Sequence, residues 1–254
     1  MKVTFLGTGT SQGVPVIACD CEVCRSTDPR DERLRTSIML THDGRNLVID
    51  TGPDFRQQML RERVKSLDAV VFTHEHKDHV AGLDDIRAFN FLQRGKMDVF
   101  ATSRVQEALR REFHYVFAAI RYPGVPEIEL HGFDLDAFEV AGMTLQPIEV
   151  MHHRMPVRAF RVGNFAYVTD ANYIAPDEYA KLRGVEVLVI NALRKQTHLS
   201  HFSLDQALAI IDDLQPKTAW LTHISHMLGR HADVERELPQ HVRIAYDGLT
   251  LEIN

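Results

Sequence analysis

Nine short apolar runs, each stopped by a turn signal, limit what this chain can become. They are KVTFLG, NLVIDTG, AVVFTH, MDVFAT, MTLQPIEV, FAYVTD, VEVLVINA, TAWLTH and VRIAYDGLTLEI. Brief runs rich in β-branched and aromatic residues between turn formers read as strands. Helical periodicity is confined to DFRQQMLRERV, DHVAGLDDIRAFNFLQ, SRVQEALRREFHYVFAAI and SLDQALAIIDDL, the last opened by Ser203 as N-cap. Strands come first, a helix pair follows, then more strands, a helix and closing strands. That order predicts an α/β chain with two mixed sheets and helices on the outer faces, not strict βαβ alternation. No internal repeat, low-complexity tract or long linker interrupts it.

The strand ends carry the chemistry. VVFTH, IEVMH, YVTD and AWLTH each finish on His or Asp, where a rigid scaffold hands residues to loops. The densest stretch, FTHEHKDHVAGL, puts His74, His76, Asp78 and His79 into six consecutive positions. Two apart on extended chain, His74 and His76 can point the same way. Asp78 then reads as the N-cap of the next helix, with His79 in its first turn, so the second pair is aimed differently. One pair can serve one metal and the other a neighbouring metal. Each metal needs further ligands, and the strand-end residues His152, Asp170 and His223 are the natural donors. A carboxylate can bridge two cations and offset part of their mutual repulsion, which singles out Asp170.

A second cluster lies in CDCEVC, with Cys19, Cys21 and Cys24. An odd, tightly grouped set of thiols is a poor disulfide framework and suits a metal knot. A structural zinc takes four ligands, so the fourth must come from afar. His226, three residues past His223 in LTHISHML, can turn toward this loop while His223 faces the other pair. FLGTGTSQGVP, by contrast, is not a dinucleotide loop. Its glycines, Gly7, Gly9 and Gly13, are spaced one residue too long, and Pro15 stands where a helix would have to begin. It reads as a tight turn near the active cleft.

The 254 residues are 44% hydrophobic and 25% charged, enough to bury a sizeable core. They are read as one domain, 1–254, with a zinc loop at 19–24. A net charge of −6 with both signs mixed argues against a broad nucleic-acid or membrane surface. No secretion signal or spanning run is seen, and the expected compartment is the cytoplasm.

The H-x-H-x-D-H of residues 74–79, the later His152, the TD at 169–170 and the LTH at 221–223 follow the order of the five metallo-β-lactamase motifs. Over nearly its whole length the chain resembles that superfamily. The resemblance implies an αββα sandwich with a dinuclear site at one sheet edge. It implies His74, His76 and His152 on one metal, Asp78, His79 and His223 on the other, and Asp170 between them. In VMHHRM either His152 or His153 can serve, and family spacing favours His152. Asp50 in VIDTG matches an aspartate beside the site; it either supports a ligand histidine from behind or caps a turn.

The GTGTSQGVP loop, the three cysteines and His226 further resemble the phosphoribosyl 1,2-cyclic phosphate phosphodiesterase subfamily of phosphonate breakdown. This implies a structural Zn2+ on Cys19, Cys21, Cys24 and His226, pinning the first loop against the last catalytic strand. It also implies a catalytic histidine that binds no metal at His201, for phosphate contact or proton donation.

The expected activity is a metal-dependent phosphodiesterase acting on a small cyclic phosphate or related diester. Two divalent cations, Zn2+ or Mn2+, would sit ~3.5–4 Å apart and lower the pKa of a shared water toward ~7. Hydroxide would then attack in line, with Asp78 orienting it as well as ligating. Arg154, Arg158, Arg194 and Lys195 are candidates to hold a second phosphate. His198 reads as a surface group or as one standing behind the site residues, and His42, His114, His131, His231 and His241 as structural or exposed. An RNA-processing nuclease of the same fold would need a Lys/Arg-rich arm, and none is seen. A non-hydrolytic cofactor-biosynthesis relative would have lost the first histidine motif, which is intact here, and a flavin-dependent redox relative would need a further domain. The expected partner is a small phosphodiester, not nucleic acid or membrane, and a homodimer is left open.

Overall fold

The computed structural model describes residues 1–253. Two sheets stack face to face. The first runs Thr250–Glu252, Lys2–Gly7, Ser37–His42, Arg45–Ile49, Ala69–Val71, Met97–Ala101 and Ile128–Gly132. The second runs Tyr173–Ile174, Met143–His152, Met155–Val162, Phe165–Val168, Val187–Asn191, Thr218–Thr222 and Val242–Ile244. Phe138–Val140 is added beside Met143–His152. Across the first sheet three antiparallel pairings give way to three parallel ones. The second sheet does the same. The topology thus repeats where the sequence does not.

Strands buried on both faces explain the runs of Val, Ile and Leu. In Arg45–Ile49, Leu47 and Ile49 enter the layer between the sheets, while Val48 joins the apolar layer under the outer helices. In Val187–Asn191 the same alternation puts Val189 between the sheets and Leu188 and Ile190 under the helices of the other side. Three apolar layers result, and the architecture is the expected αββα sandwich. No helix among the described residues is long and apolar enough to cross a membrane.

Three local expectations fail, each for a tertiary reason. VRIAYDGLTLEI is not one strand but two, Val242–Ile244 and Thr250–Glu252, in different sheets. Asp247 breaks it by accepting from Thr8 Oγ1 at 2.7 Å and Leu34 N at 2.8 Å, and Gly248 turns at φ 87°. DHVAGLDDIRAFNFLQ is not one helix but Lys77–Val80, a 3-10 turn at Leu83–Ile86, and Arg87–Gln93. The break lies at Gly82, whose N–H bonds Thr51 O at 2.9 Å. His76, not Asp78, is the N-cap there, and Asp78 sits inside the first turn without capping it. SRVQEALRREFHYVFAAI breaks at Phe113 into Ser103–Glu112 and His114–Phe117. Ser203 does cap Leu204–Leu214, in a reciprocal pair with Gln206.

The glycine turn is a packing device. A Cβ at Gly7 would stand 2.0 Å from Arg35 O. Beyond it, Thr10 N bonds Ile224 O at 3.0 Å and Ile224 N bonds Thr8 O at 2.8 Å. The first loop is thereby stitched to the segment just past His223.

Candidate metal centre

The site forms where the parallel strands of both sheets end. Ala69–Val71 runs out into Thr73 and His74, Phe165–Val168 into Thr169 and Asp170, and Thr218–Thr222 into His223. Asp50, Asp170 and His223 adopt left-handed φ values of 67°, 54° and 57°. Such backbone costs ~1–3 kcal/mol at a non-glycine residue and persists where the surroundings over-determine it.

Two groups of donors result. Asp78, His79, Asp170 and His223 each place a ligand atom within 4.8 Å of the others. Asp170 spans this group, with Oδ2 3.3 Å from His79 Nε2 and Oδ1 3.1 Å from His223 Nε2. Asp78 Oδ2 lies 3.2 Å from His79 Nε2. On the other side, ring centroids are 4.7 Å apart for His74 and His76, 5.1 Å for His76 and His152, and 5.8 Å for His74 and His152. The rings of His74 and His79, 4.1 Å apart, join the two groups. His201 stands at the seam, its ring 4.5 Å from that of His152 and 4.6 Å from that of His223. Its Nδ1 is 3.9 Å from Asp170 Oδ1.

Several nitrogens in this space are buried and unpaired: His74 Nε2, His79 Nε2, His201 Nδ1 and both nitrogens of His223. Leaving such a group unpaired costs ~1–3 kcal/mol. A convergent His/Asp set with open lone pairs suits a divalent cation. These residues therefore fit the metals that the fold implies.

The opposite ring nitrogens are already committed. His79 Nδ1 donates to Asp50 Oδ2 at 2.7 Å. His74 Nδ1 lies 2.9 Å from Thr73 Oγ1, whose hydroxyl donates to Asp50 Oδ2 at 2.7 Å. Thr73 N donates to Asp50 Oδ1 at 2.8 Å. His152 Nδ1 donates to Ser200 O at 2.8 Å. One carboxylate thus orients two rings, His79 directly and His74 through Thr73, and leaves both Nε2 atoms facing the centre. Of the two roles open to Asp50, support from behind the ligands is the one its contacts favour.

Charge is distributed accordingly. Burial opposes a proton on His79, but the carboxylates of Asp170, Asp78 and Asp50 outweigh it and hold the ring well above its ordinary value. Burial also opposes ionisation of Asp170, and the His223 and His79 rings outweigh it, holding the carboxyl well below the usual range. Asp78 is lowered in the same way, chiefly by His79 against its burial. Burial, then the His79 charge, pushes His74 well down. Burial pushes His152 down and takes His201 to about 2, aided in the latter by His223.

The cysteine loop forms a separate cluster. Cys19, Cys21 and Cys24 Sγ lie 3.3, 3.4 and 3.5 Å from the same atom, His226 Nδ1. All four donors fall within 4.8 Å of one another. The Cys24 N–H on its sulfur draws the Cys21 thiol down to about 6, while burial pushes Cys24 up to about 11. Three sulfurs and one imidazole in a closed group suit a structural zinc.

Other candidates are sorted by their contacts. His153 is exposed and its ring joins neither donor group. Arg194 donates to Gln196 O and Thr197 O of its own loop, and Lys195 pairs with Glu237 at 2.5 Å. Arg158 is buried against Glu149 and Asp134, and Arg154 lines a cavity with His76 and His152. His198 Nδ1 bonds Ser200 N at 3.3 Å, and its ring lies 5.3 Å from that of His201. His231 is buried on Arg33 Nη2 at 3.1 Å, while His114 is exposed. The sequence reading passed over Thr73 and Arg104. Thr73 announces itself only by standing next to His74 at a strand exit; Arg104 has no local signal, because its partner Glu75 is 29 residues away.

The fold and this site define the class: the chain belongs to the β-lactamase superfamily, whose domain model it matches over residues 45–224. Within it the chain groups with the PhnP family. A solved structure described as a new diphosphatase from that family superposes with a TM-score of 0.93 at 40% identity, over 98% of this chain and 96% of the other. The protein named octanoyltransferase from Porphyromonas gingivalis is 41% identical over 98% of this chain, which spans only 51% of that relative's length. Zn2+-bound PqqB from Methylobacterium extorquens shares the fold, with a TM-score of 0.77 at 22% identity over the full length of both chains.

Proposed function

We propose that this chain is a metal-dependent hydrolase of small phosphodiesters, among which a strained cyclic phosphate is the favoured substrate. The observation that carries this reading is the convergence of His74, His76, Asp78, His79, His152, Asp170 and His223 from distant segments, with buried imidazole nitrogens aimed inward and unpaired. In our reading His74, His76 and His152 hold one divalent cation, and Asp78, His79 and His223 the other. Asp170 faces both. When bound, such cations ionise a water near neutral pH and neutralise phosphoryl oxygens.

The protein's own groups do the rest. Asp50 and Thr73 keep the His79 and His74 rings in the tautomer that presents Nε2. His201, neutral and mostly buried, is placed to hydrogen-bond a phosphoryl oxygen or the departing ester oxygen. A cavity of about 460 Å3 beside His76 and His152 is of small-molecule size. The diphosphatase described for the PhnP-family structure supports phosphoryl chemistry and adds a diphosphate to the substrates worth testing. Cys19, Cys21, Cys24 and His226 would hold a structural zinc. The net charge of −6 and the lack of a basic arm disfavour RNA as substrate.

Hydrolysis of an acyl ester or thioester is a second reading, favoured by the likeness to half of an octanoyltransferase. One set of assays separates the two. Metal content is measured by elemental analysis beside turnover of bis(p-nitrophenyl) phosphate, a five-membered cyclic phosphate, and an octanoyl thioester. We expect metal-dependent cleavage of the phosphates and loss of it in His76→Ala. Cleavage of the thioester alone would replace the first reading with the second.

A further inference from the structure

We propose that the Thr169 hydroxyl is a positioning group for Asp170, fixing how the shared carboxylate is presented to divalent cations. The proposal rests on the reading of Asp170 as a ligand, given above. It starts from four threonines at strand ends, Thr51, Thr73, Thr169 and Thr222. All four are buried, and they adjoin Asp50, His74, Asp170 and His223 in turn. Their hydroxyls behave differently. Thr73 donates to Asp50, and Thr169 Oγ1 donates to Asp170 Oδ2 at 2.6 Å. The hydroxyls of Thr51 and Thr222 are buried without a hydrogen-bond partner among the described residues. Standing next to a site residue therefore does not make such a bond by itself. The bond at Thr169 depends on how the Asp170 side chain is turned.

The backbone around Asp170 is already clamped. Asp170 sits at φ 54°, and the next residue, Ala171, is held at both polar atoms. Its N–H donates to Asn191 Oδ1 at 2.9 Å. Its carbonyl accepts from Asn191 Nδ2 at 3.0 Å and from Phe202 N at 2.7 Å. Asn191 itself is fully buried. What remains free is rotation of the carboxylate, since the terminal torsion of an aspartate is broad and roughly two-fold. The Thr169 hydroxyl removes that freedom. Hydroxyl-to-carboxylate bonds of this length belong to the short, charge-assisted class. An ionised carboxylate oxygen accepts more than one bond, so Oδ2 keeps capacity toward the centre, where His79 Nε2 stands 3.3 Å away. Oδ1 faces His223 Nε2 at 3.1 Å. One hydroxyl thus pins the group from behind and leaves both oxygens open toward the imidazoles.

The test is a Mn2+ titration of the full-length protein after chelator dialysis, read from the electron paramagnetic resonance of the free ion. Imidazole and carboxylate donors accept Mn2+, and thiolates do not favour it, so the cysteine cluster is kept out of the measurement. Thr169→Val keeps the shape and removes the hydroxyl, and Mn2+ affinity should fall ~10–100-fold, the range for groups behind a ligand. Thr169→Ala should lose as much. Thr169→Ser restores the hydroxyl and should return to within about three-fold of the parent. Thr222→Val makes the same change at a like strand end where the hydroxyl has no partner, and the shift should stay below about two-fold. Should the valine variant at 169 fail to fold, the alanine and serine variants carry the same contrast. Equal losses in Thr169→Val and Thr222→Val would reduce the hydroxyl to packing and overturn the proposal. Unchanged affinity at 169, or a serine that does not rescue, would overturn it too. If Asp170→Asn binds Mn2+ as the parent does, the reading of Asp170 as a ligand fails first, and this proposal falls with it.

Discussion

Each sheet closes its first parallel strand with an aspartate in the left-handed region: Asp50 past Arg45–Ile49, and Asp170 past Phe165–Val168. Both are almost fully buried. Their surroundings differ. Asp50 is boxed in by the Thr73 N–H, the Thr73 hydroxyl and the His79 ring. Burial raises its pKa despite them. Asp170 lies between two imidazole Nε2 atoms, and those rings carry it well below the usual carboxylate range against the same burial. Topology supplied two like positions. What faces each carboxylate decides that one orients ligands from behind and the other is free to ligate.

The comparison can be broken most directly at Asp170. Asp170→Asn removes the charge shared by the two donor groups, and we expect turnover to drop about a thousand-fold or more, with lower metal content. Asp50→Asn keeps a polar group but loses the double acceptance that aligns His79 and Thr73. A loss of ~10–100-fold in activity or metal affinity is expected, the range for groups behind a ligand. Equal losses at the two positions would erase the distinction. Thr73→Val severs only the link to His74, and the loss should stay below about ten-fold.

Acidification gives a sharper view in metal-stripped protein. His74 and His201 are depressed by burial, so they stay neutral when folded and charge when unfolded. Below about pH 6.5 the unfolded chain then binds more protons, and each ring removes up to ~1.4 kcal/mol of stability per pH unit. His79, held high, is charged when folded throughout this range, so its contribution grows as pH falls and offsets part of that loss until the unfolded ring is charged too; it is lost as pH rises through its elevated folded value. The contribution of Asp170 persists until pH falls below the ordinary carboxylate range. Thermal melts from about pH 7.5 to 5.5 should thus fall by several degrees. A rise would contradict the burial assigned to these rings.

The smallest effect on turnover is expected far from both aspartates. Cys21→Ser should lower folded yield and melting temperature, because it opens the cluster on His226. Activity per folded, metal-loaded molecule should change less than about two-fold, since the structural zinc we propose there would supply folding energy and not chemistry.

Much of this was legible beforehand because strand ends are local features. A run such as AVVFTHEHKDH states its periodicity and its donors within a dozen positions, so the α/β class and the donor set could be read directly. The helix breaks at Gly82 and Phe113 could not. Gly82 packs its backbone against Thr51, a contact that no helical periodicity encodes. The split of VRIAYDGLTLEI was hidden for the same reason, since Asp247 takes its partners from Thr8 and Leu34.

The sequence alone determined which donor types exist and in what order the chain delivers them, because spacing along a strand or first helical turn sets where neighbouring side chains point. Only the tertiary structure decided which aspartate stands between the imidazoles, which ring nitrogen is left open, and that Arg104 is tethered to the histidine loop. Those outcomes depend on pairs such as His79 with Asp50, 29 residues apart, and Cys19 with His226, 207 apart. Their separations are set by how two sheets pack, and packing belongs to the whole chain rather than to any stretch of it.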